Sequence, residues 1–467
     1  MTRKPMRDLV VMLPGIMGSV LQKDGKDVWN VSGGSALGAL LSLGGAVKDL
    51  ALEDDPADVD DLGDGVRATD VMRDVHLFPG LWKIDGYTKC FRHVTDTFDV
   101  EPGRNFFEFA YDWRRDNRVA ARRLARESRD WLEWWRRDSG AADAKLILVG
   151  HSMGGLVSRY FLECLDGWRD TRALVTFGTP YRGSLNALAT LVNGFRKKIG
   201  LVGVDLSPLV RSLTSIHQLL PIYPCYDGGD GRLVRVAEAT IPNLDRAKAE
   251  AALAFHREIE RAVEEHRDDA EYRENGYEIR PVVGTLQPTS QSARLARGKV
   301  ELLGTYEGED MGGDGTVPRV SATPIEIENE ANAMFAAERH ASLQNDEPVL
   351  VQLTGVLSGV DIDHEAFREA FPAVGLSLEV EDVYSPEEPV PGRVRPEQPP
   401  SQPLTVEVEN TETAAKVDRK TLRLQDDGVH AANLGPLPEG TYRLTASGAG
   451  PIKGVTDLFA VLADDTR

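Results

Sequence analysis

Apolar runs alternate with amphipathic helical patterns along most of this chain. Mainly apolar stretches typical of buried strands occur at Leu9–Leu13, Phe106–Tyr111, Lys145–Val149 and Ala173–Phe177, and Tyr277–Val283, which contains Pro281, offers a fifth strand. Helical periodicity follows the second and the third of these runs. Buried strands that alternate with helices indicate a mostly parallel sheet covered on both faces. The pattern therefore predicts an α/β fold for the greater part of the chain.

This alternation is interrupted twice. Over about residues 181–276 the pattern is mainly helical and irregular, which predicts a helical cap or lid inserted over a functional site. From Pro386 to Pro403, seven of 18 residues are proline, which favours an extended linker. Four short β-forming runs follow it. We therefore predict a large α/β domain at 1–383, a proline-rich linker at 384–404 and a small, immunoglobulin-like β-sandwich at 405–467.

Composition restricts the partners and the compartment. The 467 residues carry a formal net charge of −20, which argues against nucleic-acid binding. Three scattered cysteines and the lack of a recognisable secretion signal lead us to expect a cytoplasmic protein, either free or peripheral at a membrane. The uncharged stretch Val28–Val47 is long enough to span a bilayer, but its five glycines favour a buried or lipid-touching loop.

One motif carries a candidate nucleophile. Gly150–Gly154 has the Gly-x-Ser-x-Gly form of a nucleophile elbow, with a predicted strand before it and a predicted helix after it. Small flanking residues would allow the sharp turn on which Ser152 lies. The dipole of the following helix would favour negative charge that develops at this point. A glycine-rich turn without chemistry is the alternative.

A serine hydroxyl needs a base and an orienting carboxylate, expected in the chain order Ser, Asp, His. His340, between a loop and a final helix, is the best placed of nine histidines. Asp314 lies in a glycine-rich turn and could accept a hydrogen bond from the His340 ring, with Asp310 as the nearest competitor. We expect His256 and His266, on a charged helical pattern, to face solvent.

Such a site also needs donors for an oxyanion. The backbone N–H of Met153, directly after the serine, is one candidate. The loop Pro14–Ser19 follows the first strand and offers Met17 as the second donor, with Ile16 as the alternative. Nothing in this arrangement requires a metal ion or a cofactor, and we expect neither.

Several segments together resemble the lecithin:cholesterol acyltransferase family, including its bacterial lipase-like members. They are Leu13–Ser19, Tyr111–Arg114, Gly150–Gly154, Phe177–Ser184, Gly313–Val317 and His340. The resemblance implies an α/β-hydrolase fold with a cap, acting on lipid acyl esters. It implies Ser152 as nucleophile, Asp314 as acid and His340 as base, with Met17 and Met153 as oxyanion donors. The linker and the β-domain have no counterpart in the family core.

The leading hypothesis is a serine esterase of lipid substrates, of the lipase or phospholipase A type, working through an acyl-enzyme. One alternative is an O-acyltransferase that moves a fatty acyl chain from a phospholipid to an alcohol. Another is an inactive scaffold whose β-domain binds a protein partner. Since the chemistry falls within the first domain, we expect residues beyond about Pro386 to be dispensable for hydrolysis of a soluble ester.

Two charged segments have alternative interpretations. Arg114–Arg137 holds nine arginines interleaved with large apolar residues, which suits either contact with anionic lipid or a helix covering the sheet. We favour the second. Glu53–Asp64 holds seven acidic residues in twelve without the regular spacing of a calcium site, and a solvated loop is favoured. Phe78–Trp82 is an apolar loop that either touches a lipid interface or packs under the cap.

Overall fold

The computed structural model describes seven stretches of the chain. They are residues 3–30, 49–78, 82–199, 202–327, 333–359, 374–450 and 452–462. Most of the uncharged stretch Val28–Val47 and the centre of the loop Phe78–Trp82 lie outside these residues, so their predicted roles are not addressed below.

The first part of the chain alternates strands and helices. Its strands are β1 (Leu9–Leu13), β2 (Ser19–Lys23), β3 (Lys26–Trp29), β4 (Val66–Val71), β5 (His76–Phe78), β6 (Trp82–Ile84), β7 (Phe106–Glu108), β8 (Leu146–His151), β9 (Thr171–Phe177), β10 (Arg196–Ile199), β11 (Val202–Asp205), β12 (Tyr226–Asp227), β13 (Leu233–Val234), β14 (Glu278–Gly284), β15 (Ser292–Ala296), β16 (Lys299–Leu303) and β17 (Met334–Ala336). The α-helices are α1 (Thr88–Thr97), α2 (Asn117–Ser139), α3 (Met153–Cys164), α4 (Leu185–Asn193), α5 (Ser207–Ser212), α6 (Thr214–His217), α7 (Arg246–Arg267), α8 (Ala270–Asn275) and α9 (Glu347–Leu357).

The central sheet has six strands in the order β17-β14-β9-β8-β1-β7. Every neighbouring pair is parallel. Alternate residues of β1 enter two different cores: Leu9 and Val11 pack with α2 and α3, whereas Val10 and Met12 pack with α1 and α9. Helices on both faces explain why these strands are continuous apolar runs. The predicted α/β class is confirmed.

Between β9 and β14 the chain leaves the sheet. This excursion contains α4 to α8 and the short strands β10 to β13. Ala187, Ile216 and Leu219 from its helical part lie over the carboxyl ends of the central strands, at the cavity described below. Among the described residues, no helix is both long and apolar enough to cross a bilayer.

The C-terminal part is a sandwich of two sheets. Its strands are β18 (Leu376–Glu379), β19 (Val383–Tyr384), β20 (Val390–Pro396), β21 (Thr405–Asn410), β22 (Lys416–Thr421), β23 (Arg423–Leu424), β24 (His430–Leu434), β25 (Gly440–Ser447) and β26 (Val455–Val461). One sheet has the order β18-β20-β24-β23 and the other β19-β26-β25-β21-β22. Their inner faces share one apolar core, to which Leu378 and Val394 contribute from the first sheet and Val406 and Phe459 from the second.

The predicted linker over 384–404 is wrong. Its central part is β20, which pairs antiparallel with β18 on one side and β24 on the other. Pro391 and Pro396 lie near the two ends of β20, so the residues between them keep their N–H groups for pairing. Val390 and Val394 point into the sandwich core. The β-sandwich therefore begins near Leu376, and the boundary predicted at 405 is too late.

The arginine-rich helix and the acidic loop are partners. Arg115 on the approach to α2 forms an ion pair with Asp55 at 2.7 Å, and both side chains are buried. Asp60 pairs with Arg122 and with Arg126 on the exposed side of α2. The loop predicted to be solvated thus neutralises the helix, whose apolar residues cover the sheet.

Candidate active site

Ser152 lies on the turn between β8 and α3. Its backbone has φ 51° and ψ −121°, a left-handed conformation that is strained for a residue with a side chain. Two backbone hydrogen bonds of Ser152 hold the turn. The Ser152 N–H donates to the Phe177 carbonyl at 2.8 Å, and the Ser152 carbonyl accepts from Thr179 Oγ1 at 2.9 Å. The turn at Ser152 therefore has the strained geometry typical of a nucleophile elbow, and it places the side chain at the carboxyl end of the sheet.

The elbow requires a close approach of two backbone segments. A Cβ atom on Gly154 would lie 2.6 Å from the Pro14 carbonyl oxygen and 2.7 Å from that of Leu13. Any larger residue would push α3 away from the loop after β1. The glycine of the motif therefore sets the distance between the serine turn and the candidate oxyanion loop.

The structure brings His340 and Asp314 to this serine. His340 Nε2 lies 3.1 Å from Ser152 Oγ, and His340 Nδ1 lies 2.7 Å from Asp314 Oδ2. The other carboxylate oxygen, Oδ1, accepts from the N–H groups of Thr316 and Val317 at 2.9 and 2.7 Å. All three side chains are buried. Because the carboxylate accepts from Nδ1–H, Nε2 is left to accept the serine proton.

Gly178, directly after β9, makes room for this pair. It has φ 55°, and a Cβ atom there would lie 2.8 Å from both Asp314 Oδ2 and His340 Nδ1. The sequence pattern identified this glycine only as the end of a strand and as part of the family-like segment. Its contact with the acid and base is visible only in three dimensions.

The open alternative for the acid, Asp310, is engaged elsewhere. Its Oδ1 accepts from Gln291 Nε2 at 2.6 Å and from the Gly312 N–H at 2.9 Å. These bonds hold the loop that leads to Asp314. Asp310 therefore shapes the approach to the site, and its carboxylate faces Gln291 rather than the His340 ring.

The expectation that His256 and His266 face solvent is wrong. His256 is buried in α7 with its Nε2 2.8 Å from the Gln218 carbonyl, and burial lowers its pKa to about 4. His266 Nδ1 lies 2.9 Å from the buried Glu163 carboxylate. Although the sequence of α7 is highly charged, one of its faces packs on α3. Both helices contribute residues to one apolar core, including Leu156 from α3.

A second hydrogen-bond chain, missed by the sequence analysis, runs beneath the site. Tyr87 Oη accepts from the Gly15 N–H at 2.8 Å and lies 2.9 Å from His151 Nδ1. His151 Nε2 lies 3.2 Å from the His340 carbonyl oxygen. The tyrosine hydroxyl therefore donates to Nδ1, and Nε2–H donates to the carbonyl. Burial lowers the pKa of His151 to about 3, so its ring is neutral.

The hydrogen bonds through Tyr87 and His151 connect three parts of the site. It joins the loop after β1, the residue before the nucleophile and the backbone of His340. His151 lies in the serine motif, directly before Ser152. Tyr87 lies in no motif, and no sequence signal could have identified it.

Met17 and Met153 are placed next to the serine by different elements. Met17 has φ 60°, an unusual value for methionine, and it lines the same cavity as Ser152 and His340. Ile16 lines that cavity as well, so the choice between these two oxyanion donors stays a prediction. Met153 is the first residue of α3, where backbone N–H groups have no intrahelical partner.

A cavity of about 260 Å³ opens in front of the serine. Its apolar lining includes Pro180, Ala187, Ile216, Leu219 and Val317. Val380 and Asp382 also line it, although both belong to the C-terminal sandwich, to which the sequence analysis gave no role in the site. The site therefore has a mainly apolar wall next to a hydroxyl that contacts an imidazole.

Known proteins are similar to this chain in part of its sequence and in its fold. Residues 54–263 match the model of the family described as lecithin:cholesterol acyltransferase. The proteins named "Lysosomal phospholipase A and acyltransferase" from Homo sapiens and Rattus norvegicus are 35% and 34% identical over 80 residues. Each match covers 16% of this chain and 19% of the length of the relative, so the chain matches less than a fifth of these curated relatives.

One solved structure shares the fold. A chain of "The crystal structure of Tle4-Tli4 complex" is 16% identical with a TM-score of 0.51, and the match covers 76% of this chain and 98% of that one. The family match includes Ser152 but ends before Asp314 and His340, whose placement rests on the geometry above. The predicted resemblance is confirmed over residues 54–263, where this chain is similar to the lecithin:cholesterol acyltransferase family, and its fold is that of an α/β-hydrolase.

Proposed function

We propose that this protein is a serine esterase of lipid substrates, of the lipase or phospholipase A type. In this proposal Ser152 is the nucleophile, His340 is the general base and Asp314 orients the imidazole. The observation that carries the proposal is the continuous hydrogen-bond chain from Ser152 Oγ through both ring nitrogens of His340 to Asp314 Oδ2.

The proposed reaction follows from the hydrogen-bond donors and acceptors of Ser152, His340 and Asp314. Ser152 Oγ attacks the ester carbonyl while its proton moves to His340 Nε2. Backbone N–H groups of Met17 and Met153 stabilise the resulting oxyanion. The tetrahedral intermediate collapses, the C–O bond breaks, and the alcohol leaves with the proton from Nε2. Water then attacks the acyl-enzyme by the same route in reverse and releases the carboxylic acid.

Two observations support a lipid substrate. The cavity wall is mainly apolar, as a hydrocarbon chain requires. The family match and the names of the human and rat relatives associate similar sequences with phospholipids and acyl transfer. The name of these relatives includes acyltransferase as well as phospholipase A, so transfer to an alcohol is the second candidate. Both candidates share the acyl-enzyme and differ only in what resolves it.

The test is product analysis with the full chain. We expect a fluorophosphonate probe to label Ser152, because only an activated serine reacts. With phosphatidylcholine vesicles we expect free fatty acid and lysophospholipid in equal amounts by mass spectrometry. Added diacylglycerol should leave this unchanged if water is the acceptor, whereas a new ester formed at the expense of fatty acid would identify transfer. A chain that neither labels nor releases product would be the inactive scaffold, and the proposal would be wrong.

Replacing Tyr87 by phenylalanine should lower kcat about tenfold with little change in KM. The variant leaves the Gly15 N–H and His151 Nδ1 without their common partner, and an unpaired buried polar group costs about 1–3 kcal/mol. The loss falls on the placement of the oxyanion loop and of His340, rather than on substrate contacts. Steady-state kinetics on a soluble ester measure the two parameters separately.

Tyr442→Phe is the matched control. Tyr442 lies in the C-terminal sandwich, and its hydroxyl donates to the Pro438 carbonyl at 2.8 Å. This control loses a comparable hydrogen bond and should keep kcat. If both variants lost activity equally, Tyr87 would have only a structural role.

A further inference from the structure

The C-terminal sandwich contacts the two residues that precede the candidate base. Glu338 Oε1 accepts from the N–H of Thr456 on β26 at 2.9 Å and from the N–H of Arg339 at 2.8 Å. The Arg339 guanidinium donates to the Leu378 carbonyl of β18, and its Nε lies 3.2 Å from Asp457 Oδ2. The segment that carries the base is therefore bonded to both sheets of the sandwich.

The candidate acid is linked to the sandwich as well. Gln287 forms a bridge with Asp314, and its backbone N–H donates to the Gly313 carbonyl at 3.0 Å. Its side chain is buried between this turn and β18, where Nε2 donates to the Leu376 carbonyl at 2.8 Å and Oε1 accepts from the Leu378 N–H at 3.1 Å. One glutamine amide thus ties β18 to the turn that presents the carboxylate.

A third set of contacts is ionic. The fully buried Asp457 carboxylate lies 2.6 Å from Lys83 Nζ, and the same ammonium group lies 3.1 Å from Asp382 Oδ1. Lys83 belongs to β6 of the first domain and lines the cavity. Because two carboxylates surround this ammonium group, it is not free to bind an anionic headgroup.

These contacts determine where Val380 lies. It follows β18 directly, and both Gln287 and Arg339 form hydrogen bonds with the backbone of β18. Its side chain lines the same cavity as Ser152 and His340. Val380 is apolar, and the charged groups near it in the cavity wall are paired with each other. This part of the wall therefore suits contact with a hydrocarbon chain and not with an ionic group.

We propose that the C-terminal sandwich is part of the substrate site and that Val380 is a specificity-determining residue for the hydrocarbon part of the ester. This inference rests on the proposed function and deepens it. It also replaces the expectation that residues beyond about Pro386 are dispensable, because β26 holds the base segment and β20 holds β18.

The test compares Val380→Trp with Val417→Trp in the full chain. Val417 is exposed on β22 of the same sandwich and does not line the cavity, so it controls for the added indole. Two substrate series are used: p-nitrophenyl acetate against p-nitrophenyl octanoate, and ethyl acetate against octyl acetate. The first varies the acyl chain and the second varies the alcohol.

Val380→Trp should lower the long-to-short ratio of kcat/KM at least roughly tenfold in one series. Each methylene group that is excluded from an apolar site lowers kcat/KM about fourfold. Excluding two methylene groups therefore lowers kcat/KM by more than roughly tenfold. The series that changes identifies which part of the ester contacts Val380. Val417→Trp should leave both ratios at the wild-type value.

Two failures can be told apart. If the wild type neither reacts with a fluorophosphonate nor hydrolyses any of the esters, the proposed function is wrong. If the wild type hydrolyses them and both ratios for Val380→Trp stay within roughly twofold of wild type, this inference alone is wrong. Circular dichroism checks that the variant is folded. If it is not, Val380→Ala replaces it, and the enlarged cavity should raise the same ratio; an unchanged ratio would again overturn the inference.

Discussion

Replacing Ser152 by alanine should abolish turnover of a lipid ester, with a fall in kcat of roughly 10⁶-fold as in comparable triads. The substitution removes the oxygen that lies 3.1 Å from His340 Nε2 and leaves the backbone of the turn in place. Apolar binding of the substrate should persist, because the cavity wall is unchanged. Stopped assays at high enzyme concentration measure the residual rate, and binding of a non-hydrolysable ether lipid measures the retained affinity.

Ser158→Ala is the matched control for this loss. Ser158 is a buried serine on α3, the helix that follows Ser152, and its hydroxyl donates to the Gly154 carbonyl at 2.8 Å. It should keep most activity and all fluorophosphonate labelling. Near-normal activity in Ser152→Ala would show that a different group attacks the ester.

Asp314→Asn is expected to lower kcat by roughly 10⁴-fold while the protein stays folded. The amide oxygen can keep the two bonds that Oδ1 accepts from the Thr316 and Val317 N–H groups. The amide NH₂ then faces His340 Nδ1 and donates to it. That bond places the ring proton on Nε2, so the imidazole can no longer accept from Ser152. The loss should appear in kcat on short and long esters alike.

Asp310→Asn separates this effect from a general loss of carboxylate charge in the loop. Asp310 accepts from Gln291 and from the Gly312 N–H, and the asparagine can retain the second of these bonds. We expect kcat within a few-fold of wild type. If Asp310→Asn were the inactive variant and Asp314→Asn the active one, the assignment of the acid would have to be reversed.

The central sheet was predictable because its strands are buried on both faces. β1 and β8 are apolar at nearly every position, because alternate residues of each strand point into two different apolar cores. β17 has only three residues, too few for a periodic signal. The order of serine, aspartate and histidine was predictable for a different reason, since each residue lies in a local segment with recognisable neighbours.

The remaining features of the site depend on contacts between distant segments. Tyr87 reaches His151 from 64 positions away, and Arg339 reaches Leu378 from 39. Proline counts predicted a linker where β20 forms, because composition does not reveal that Pro391 and Pro396 lie near the strand ends. Likewise, the charged pattern of α7 did not reveal its buried histidine, His256.

The buried Asp457 carboxylate has a consequence for the order of events during translation. It is synthesised well after His340, and its ion pairs with Lys83 and Arg339 can form only once β26 has left the ribosome. Domains generally fold from the amino terminus as the chain emerges. The nascent hydrolase fold therefore passes through a stage with its sheet complete and its cleft unfinished. The cleft is then completed only after β26 has emerged and Asp457 has reached Lys83 and Arg339.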